Sequence, residues 1–340
     1  MLKRICLTAA AALLAGGFAL SANAASTLDT VKQRGKLKCV VAEGSVAIAQ
    51  LNDKGRWEGF DVDYCRALAA AILGSGEAVE FVPMGFAQSM PAVRSGEAEV
   101  AARAITYTMS RDTELGFDFV GPTLYSGYGF MVHKRAGVSD LKGLNGAAIC
   151  VLAGTVIDSQ IADYFRPRGM TFTPVVVDNV TNMYAQYEAG RCDVVTSEPP
   201  FLAARRSRLR NPDEHVILSE LFYKSHMGPV VRDNDAQFSG IARWTHYALV
   251  TAEEMGITQA NVDEMLKSKD PAVRRFLGVE GNLGSKMGLP DDFPARIVKA
   301  VGNFGEVWER NFGIASPLKL PRGINALERD GGLQWAPNWR

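Results

Sequence analysis

Residues 59–73 read Gly59-Phe60-Asp61-Val62-Asp63-Tyr64-Cys65-Arg66-Ala67-Leu68-Ala69-Ala70-Ala71-Ile72-Leu73. Apolar side chains recur at helical spacing within this run, at Leu68, Ala69 and Ile72, and predict a helix over 62–73. Around it we predict strands at 37–42, 79–83 and 100–105, and a further helix at 87–94. This alternation of strands and helices is typical of an α/β fold.

The middle of the chain contains a second series of the same kind. A strand at 127–132 is expected to leave the first lobe. It is followed by strands at 147–152, 173–177 and 193–197, with helices at 155–165 and 181–188 between them. Three strands that alternate with two helices favour a parallel sheet.

The remaining sequence predicts how the two series are joined. Residues 229–231 are the expected path back to the first lobe, followed by helices at 236–254, 262–266 and 294–310 and by a tail, from Ser316, that packs across the surface. The predicted domains are a signal peptide (1–24), lobe 1 with a helical C-terminal extension (25–130 and 231–340), and lobe 2 (131–230). Two strands joining two lobes form a hinge over a cleft, and parallel sheets present the carboxyl ends of their strands to ligands.

The N-terminus has the pattern of a secretory signal peptide. Lys3 and Arg4 precede the apolar run 5–20, and Ala22-Asn23-Ala24 gives the small-x-small pattern of a cleavage site. A membrane anchor is the alternative, but the run of about 16 residues is shorter than the ~20 that a span needs. We therefore predict a soluble exported protein that does not span the membrane after cleavage.

The totals limit the classes of partner. Lys and Arg together number 37, as do Asp and Glu, which argues against nucleic acid or an anionic membrane surface as the partner. Four cysteines follow the signal peptide, one pair in each lobe, and in an oxidising compartment this distribution predicts the disulfides Cys39–Cys65 and Cys150–Cys192. No cysteine pair has CxxC spacing and the four histidines are scattered, so we expect neither a metal nor a cofactor.

The run Gly59-Phe60-Asp61-Val62-Asp63, with its helical continuation, resembles the signature of family 3 extracellular solute-binding proteins. Residues 106–112 resemble the carboxylate-binding segment of that family, and Gly154-Thr155 and 193–198 occupy the places of its second-lobe ligand segments. The cysteines and the helical C-terminal part are similar to the general L-amino-acid-binding branch. The resemblance implies a two-lobed periplasmic-binding-protein fold of the type II kind. It also implies a monomeric periplasmic receptor that closes on an amino acid and delivers it to an ABC-type permease.

The resemblance also implies a set of ligand-binding residues, and several of their side chains carry groups that can bind the charges of an amino acid. Arg111 is expected to bind the α-carboxylate with its planar fork, although an arginine beside Asp112 could also be an ordinary surface residue. Thr106 could donate to the same carboxylate. Thr155 and Val156 lie where a strand becomes a helix, which favours a bound anion or is an ordinary cap. Glu198 matches the acidic partner of the ligand ammonium, where the family usually has Asp.

Other positions depart from the family pattern. Ala104 and Ile105 replace polar residues, Val156 replaces a threonine, and Ile48 stands where an aromatic ring often covers the ligand. Tyr107 could supply the missing ring. Glu43 and Phe86 are expected on loops that face the cleft, where they would influence selectivity.

The sequence leaves three alternative functions open. One is a cyclohexadienyl-type dehydratase on the same fold, in which Glu198 would act as the acid that protonates a leaving hydroxyl. The second is a receptor for a non-standard amino acid or a related carboxylate. The third is a sensory or scaffold protein that signals to a separate membrane partner.

Overall fold

The computed structural model describes residues 26–42 and 44–340. The predicted signal peptide and Glu43 lie outside the described residues. The strands are β1 (Leu37–Ala42), β2 (Gln50–Leu51), β3 (Trp57–Glu58), β4 (Val79–Met84), β5 (Val100–Ala101), β6 (Phe117–Phe119), β7 (Gly127–His133), β8 (Ala148–Leu152), β9 (Thr173–Val177), β10 (Val194–Ser197), β11 (His215–Ile217), β12 (Tyr223–Lys224) and β13 (Val230–Arg232).

The helices surround these strands. They are α1 (Thr27–Arg34), α2 (Phe60–Leu73), α3 (Phe86–Ser95), α4 (Met109–Thr113), α5 (Ile157–Phe165), α6 (Val180–Glu188), α7 (Pro199–Arg206), α8 (Ala236–Glu254), α9 (Val262–Met265), α10 (Pro271–Phe276), α11 (Leu283–Lys286), α12 (Phe293–Val301) and α13 (Phe304–Asn311). No helix among residues 26–42 and 44–340 combines the length and the apolar character needed to cross a membrane.

Two sheets organise the molecule. The first has the order β4-β1-β5-β13-β6, and the second has the order β11-β7-β10-β8-β9, with β12 paired to β7. β1 is parallel to β4 and β5, and β8 is parallel to β9 and β10, as the strand-helix alternation predicted. β13 and β7 run antiparallel to their neighbours because each enters its sheet from the other lobe.

The chain crosses between the sheets twice, after β6 and after β12. An isolated bridge joins Leu124 of the first crossing to Met227 of the second, so the two crossings lie side by side. The predicted boundaries at 130/131 and 230/231 fall inside β7 and β13, whereas every residue of these strands belongs to one sheet. Where the lobes divide as moving bodies stays a prediction.

Helix α2, the helix predicted from the opening motif, lies at the centre of the first lobe. Every residue from Phe60 to Ile72 is buried, and the helix packs against α8 and α12 as well as β1. Its alanines at 67 and 69–71 leave space for these neighbours. Because the helix is buried on all sides, apolar residues occur on every side of it.

Both predicted disulfides are present. Cys39 in β1 is joined to Cys65 in α2, and Cys150 in β8 is joined to Cys192, which precedes β10. Each bond therefore ties a strand to another element of the same lobe. In the chain-entropy model, loops of 26 and 42 residues stabilise the fold by about 3–4 kcal/mol each.

Three local predictions were wrong. The predicted helix over 294–310 is two helices, because Gly302 has φ +75° and Asn303 begins α13 with a capping box. The predicted strand over 100–105 ends at Ala101, because Ala104 adopts φ +55°. The tail does not only cover the surface: Trp339 is buried in the first-lobe core, and its Nε1 donates to Thr251 Oγ1 at 2.7 Å.

Gly59, which precedes α2, offers a test of this packing. Its φ is +137°, and a Cβ at this position would lie 2.2 Å from the carbonyl oxygen of Ile48. We expect Gly59→Ala to lower the free energy of unfolding by about 3 kcal/mol, because backbone strain and overlap act together.

Gly55→Ala is the matched control. Gly55 also has positive φ, +71°, but its Cβ would meet nothing within 4 Å, so the expected loss is only about 1–2 kcal/mol. Urea unfolding of both variants measures the difference. Equal losses would show that the contact with Ile48 does not constrain α2.

Candidate ligand-binding site

A cavity of about 140 Å³ lies between the two lobes and is lined by side chains from both. It is found at the carboxyl ends of β1, β8 and β10, where an open parallel sheet binds ligands. The predicted site residues that the structure brings together here are Phe86, Ala104, Thr106, Arg111, Thr155 and Glu198.

Arg111 supplies a buried cation on the first lobe. It lies in the short helix α4, which begins after Thr108, and its Nη1 donates to the carbonyl oxygen of Thr106 at 2.8 Å. The guanidinium lies over the ring of Phe86, 5.0 Å from the centroid. Burial lowers the pKa of Arg111 from its ordinary value. One hydrogen bond and one ring contact fix the guanidinium, and most of its donors are left for a ligand.

Asp61 holds the loop that precedes Arg111. Its Oδ2 accepts a hydrogen bond of 2.7 Å from the backbone N–H of Ala104, the residue with positive φ. Asp61 is in the first turn of α2 and is 4% exposed. Burial raises its pKa from 3.8 to about 7, against the opposing effects of the Ala104 N–H and of Arg103. This contact gives the acidic residue of the opening motif a role in shaping the site.

Glu198 supplies a buried carboxyl group on the second lobe. It occupies the N-cap position of α7 without a capping hydrogen bond from its side chain, is 5% exposed, and accepts from Ser225 Oγ at 2.6 Å and from Ser197 Oγ at 3.0 Å. Burial raises the pKa of Glu198, and these hydrogen bonds oppose that shift. The carboxyl group is therefore held in position by hydroxyl groups, and no cation among the described residues forms an ion pair with it.

Thr106 links the two halves of the site. Its hydroxyl lies 3.0 Å from the phenol oxygen of Tyr128 in β7 and 3.4 Å from Ser225 Oγ. Ser225 also bonds to Glu198, so a hydroxyl chain connects the first-lobe loop to the second-lobe carboxyl group. Of these groups, Thr106, Tyr128 and Glu198 line the cavity and supply polar atoms to its wall.

Two predicted residues do not take part in this lining. The ring of Tyr107 is partly exposed and stacks on Phe119, with centroids 4.2 Å apart. Val156 is the N-cap of α5, and only its neighbours Thr155 and Ile157 reach the cavity. Glu43 lies outside the described residues. Ile48, considered for an aromatic position, is buried in the first-lobe core.

Sequence reasoning missed several polar or aromatic residues of the lining, among them Arg103, Tyr128, Tyr184 and Arg205. For Arg103 a signal was present, since it interrupts the apolar run Val100 to Ile105 with a charge. Arg205 donates through Nη2 to the carbonyl oxygen of Gly44 at 3.0 Å, which is a contact between the lobes. The other two rings lie on elements whose faces could not be assigned from the sequence.

A larger groove of about 670 Å³ lies beside the β2-β3 hairpin, and residues of both lobes, such as Gln50 and Arg208, line it. Asp63 in its wall already accepts from Arg310 Nε at 2.7 Å and from Asn311 Nδ2 at 2.8 Å. Because the carboxylate of Asp63 is already paired within the protein, the size of this groove alone does not indicate a ligand site. The smaller cavity is lined by Arg111 and Glu198, which are buried and have no counter-ion among the described residues.

Residues 37–277 match the model of the bacterial extracellular solute-binding proteins, family 3. The chain belongs to this family. It is 47% identical to the general L-amino acid-binding periplasmic protein AapJ of Rhizobium johnstonii, over 96% of each chain. It is 45% identical to the glutamate/glutamine/aspartate/asparagine-binding protein BztA of Rhodobacter capsulatus, over 98% of this chain and 97% of the other.

A solved structure gives the same result. A periplasmic binding protein of an ABC transporter from Brucella ovis, with glutathione bound, has a TM-score of 0.91 and 47% identity, covering 93% of this chain and all of that one. The predicted family, the two-lobed α/β fold, the role as a solute-binding protein and the periplasmic location are thereby confirmed.

The buried carboxyl group of Asp61 leads to a pH prediction. Its pKa in the fold, about 7, exceeds its ordinary value of 3.8, so folding favours the protonated form. The stability it contributes is complete at acid pH and is lost as pH rises towards 7, by up to about 4 kcal/mol. Asp61→Asn keeps the shape and cannot ionise, so its stability should rise relative to the parent over that range.

The measurement is urea unfolding of both proteins at pH 4.5, 6 and 7.5. Asp213→Asn, which changes an exposed aspartate, is the control, and its difference from the parent should hardly vary with pH. If the Asp61→Asn difference is equally flat, the carboxylate ionises in the fold without cost and the argument from burial fails.

Proposed function

We propose that this protein is a receptor for α-amino acids that closes on its ligand between Arg111 and Glu198. The observation that carries the proposal is that a buried cation and a buried carboxyl group, from opposite lobes, line one small cavity. Neither has a counter-ion within the described residues. An α-amino carboxylate carries the two complementary charges.

Each end of the ligand would meet suitable groups. The fork of Arg111 can make two parallel hydrogen bonds to a carboxylate, and Thr106, whose carbonyl oxygen holds the guanidinium, also lines the cavity. The ammonium would reach Glu198, whose oxygens are oriented by Ser197 and Ser225. Because the two charges belong to different lobes, a zwitterion would bridge them and stabilise the closed form.

The relatives support this ligand class and a transport role. The names of two of them describe amino-acid-binding proteins, and another relative, YhdW of Escherichia coli, is named a putative amino-acid ABC transporter-binding protein. We therefore propose that the receptor delivers its ligand to an ABC-type permease, as a monomer whose lobes move as units about the two crossings.

Glutathione is a second candidate, because the Brucella ovis protein has it bound. The cavity of about 140 Å³ is below the ~300–1,000 Å³ typical of sites that bury larger molecules, which favours a single amino acid. A thermal-shift screen of the amino acids with glutathione included compares the two directly.

The dehydratase alternative rests on Glu198, whose raised pKa is the property that a general acid needs. The same burial suits a carboxylate that awaits an ammonium, and family membership supports binding instead of catalysis. We propose that the protein is not an enzyme. Turnover of prephenate or arogenate by the purified protein would contradict that proposal.

The two charged groups give the main binding prediction. Arg111→Ala should leave the ligand carboxylate unpaired in a closed cavity and weaken binding by about 2–5 kcal/mol, or roughly 30- to 4,000-fold. Glu198→Gln keeps the shape and removes the charge, so it should weaken amino acids strongly and their deaminated analogues little. Calorimetry on the best amino acid of the screen and on its deaminated analogue measures both effects.

Two exposed residues provide matched controls. Arg168→Ala and Glu97→Gln make the same charge changes away from the cavity, and both should bind like the parent. If Arg111→Ala and Glu198→Gln also bound like the parent, the ligand would not be held as a zwitterion and the proposal would be overturned.

A further inference from the structure

Arg103 is a second cation in the cavity wall, and the proposed function does not use it. It lies in the loop after β5, between Ala102 and Ala104, and lines the cavity. Its Nε and Nη1 are shielded from solvent and have no hydrogen-bond partner among the described residues. A buried guanidinium normally has its donors paired, because unpaired buried polar groups are costly. The unpaired donors indicate a missing acceptor.

Asp61, the neighbouring carboxyl group, does not supply that acceptor. It influences the pKa of Arg103, but its Oδ2 accepts from the Ala104 N–H, and no ion pair joins the two side chains within the described chain. Burial lowers the pKa of Arg103 only to about 10. Arg103 is thus cationic at neutral pH and lines the cavity without a counter-ion among the described residues.

The charge balance of the cavity leads to the same conclusion. Among the described residues, its lining includes three arginines, Arg103, Arg111 and Arg205, and one carboxyl group, Glu198. A neutral zwitterion would leave this excess positive charge uncompensated. A ligand with one ammonium and two carboxylates would reduce it.

The positions of Arg103 and Arg111 fit two carboxylates of one small molecule. The guanidinium carbons lie 4.9 and 5.0 Å from the centroid of the same ring, Phe86. They are therefore no more than about 10 Å apart. Arg205 is a poorer candidate, because its Nη2 already donates to the Gly44 carbonyl oxygen.

We infer that Arg103 binds a second carboxylate of the ligand, so that the receptor prefers α-amino acids with an acidic side chain to their amides. Arg103 is then a specificity-determining residue, while Arg111 and Glu198 hold the α-carboxylate and the ammonium. This inference rests on the proposed function and adds the chemical class of the side chain.

The test compares L-glutamate with L-glutamine, and L-aspartate with L-asparagine, by calorimetry on the full mature chain. The parent should bind each acid at least about 10-fold more tightly than its amide. Arg103→Met keeps the length and apolar stem, and should weaken L-glutamate about 30-fold or more while changing L-glutamine less than about 3-fold. Arg103→Lys keeps the charge but not the forked guanidinium, so its affinity for L-glutamate should lie between those of the parent and of Arg103→Met.

Arg168→Met is the matched control, because Arg168 also lies over an aromatic ring, Tyr164, but outside the cleft. It should leave all four affinities unchanged. If Arg103 had only a structural role, Arg103→Met would weaken the binding of acids and amides equally and would lower the melting temperature. That outcome would overturn the inference. So would a parent that binds the amides as tightly as the acids.

The failure of this inference can be told apart from failure of the proposed function. If amino acids bind in an Arg111-dependent manner but Arg103→Met does not change the acid-to-amide ratio, only the inference is wrong. If no α-amino acid in the screen binds the parent, both are wrong.

Discussion

The hydrogen bond from the Ala104 N–H to Asp61 is the contact on which the first-lobe half of the site depends. Gly59 lets the chain pass close to Ile48 and begin α2, and this places Asp61 beneath the loop. The bond stabilises a positive φ at an alanine, which is otherwise an unfavourable conformation. Without it, the peptide that directs Arg103 towards the cavity and sets Thr106 would have no fixed orientation.

The consequence extends to Arg111. Its guanidinium is held by the carbonyl oxygen of Thr106, so the position of the proposed carboxylate-binding group follows from the position of the loop. The motif at 59–63 and the arginine at 111 are far apart in sequence, yet Asp61 and Thr106 connect them through two hydrogen bonds of 2.7 and 2.8 Å. The signature thus contributes to the geometry of the cavity wall although its own side chains do not line the cavity.

Much of the fold could be predicted from the sequence, because periodicity determines the elements. β1, β9 and α8 have the predicted bounds, and the lobe-wise distribution of cysteines gave both disulfides. The break at Gly302 was missed, because apolar residues continue with helical spacing on both sides of it.

The site was harder to predict than the fold. Arg111 and Glu198 were found because a family pattern gave their positions, and both line the cavity. The errors concern the loop after β5. Since alanine seldom has positive φ, nothing at Ala104 indicated that the strand would end early, and the side chains after it turn in unexpected directions. Arg103 therefore faces the cavity, whereas Tyr107 lies against Phe119.

The departures at Ala104 and Ile105 have a physical explanation in the same loop. Ile105 is fully buried away from the cavity, and Ala104 contributes through its backbone, whose N–H is already bonded to Asp61. A polar side chain at either position is therefore not needed to fix the loop. In place of polar side chains at 104 and 105, the first lobe has two guanidinium groups at the cavity. Those of Arg103 and Arg111 lie over the same ring, that of Phe86. In the proposed receptor, such a pocket would recognise its ligand by charge, and its selectivity would depend on the number of carboxylates that the closed cavity can pair.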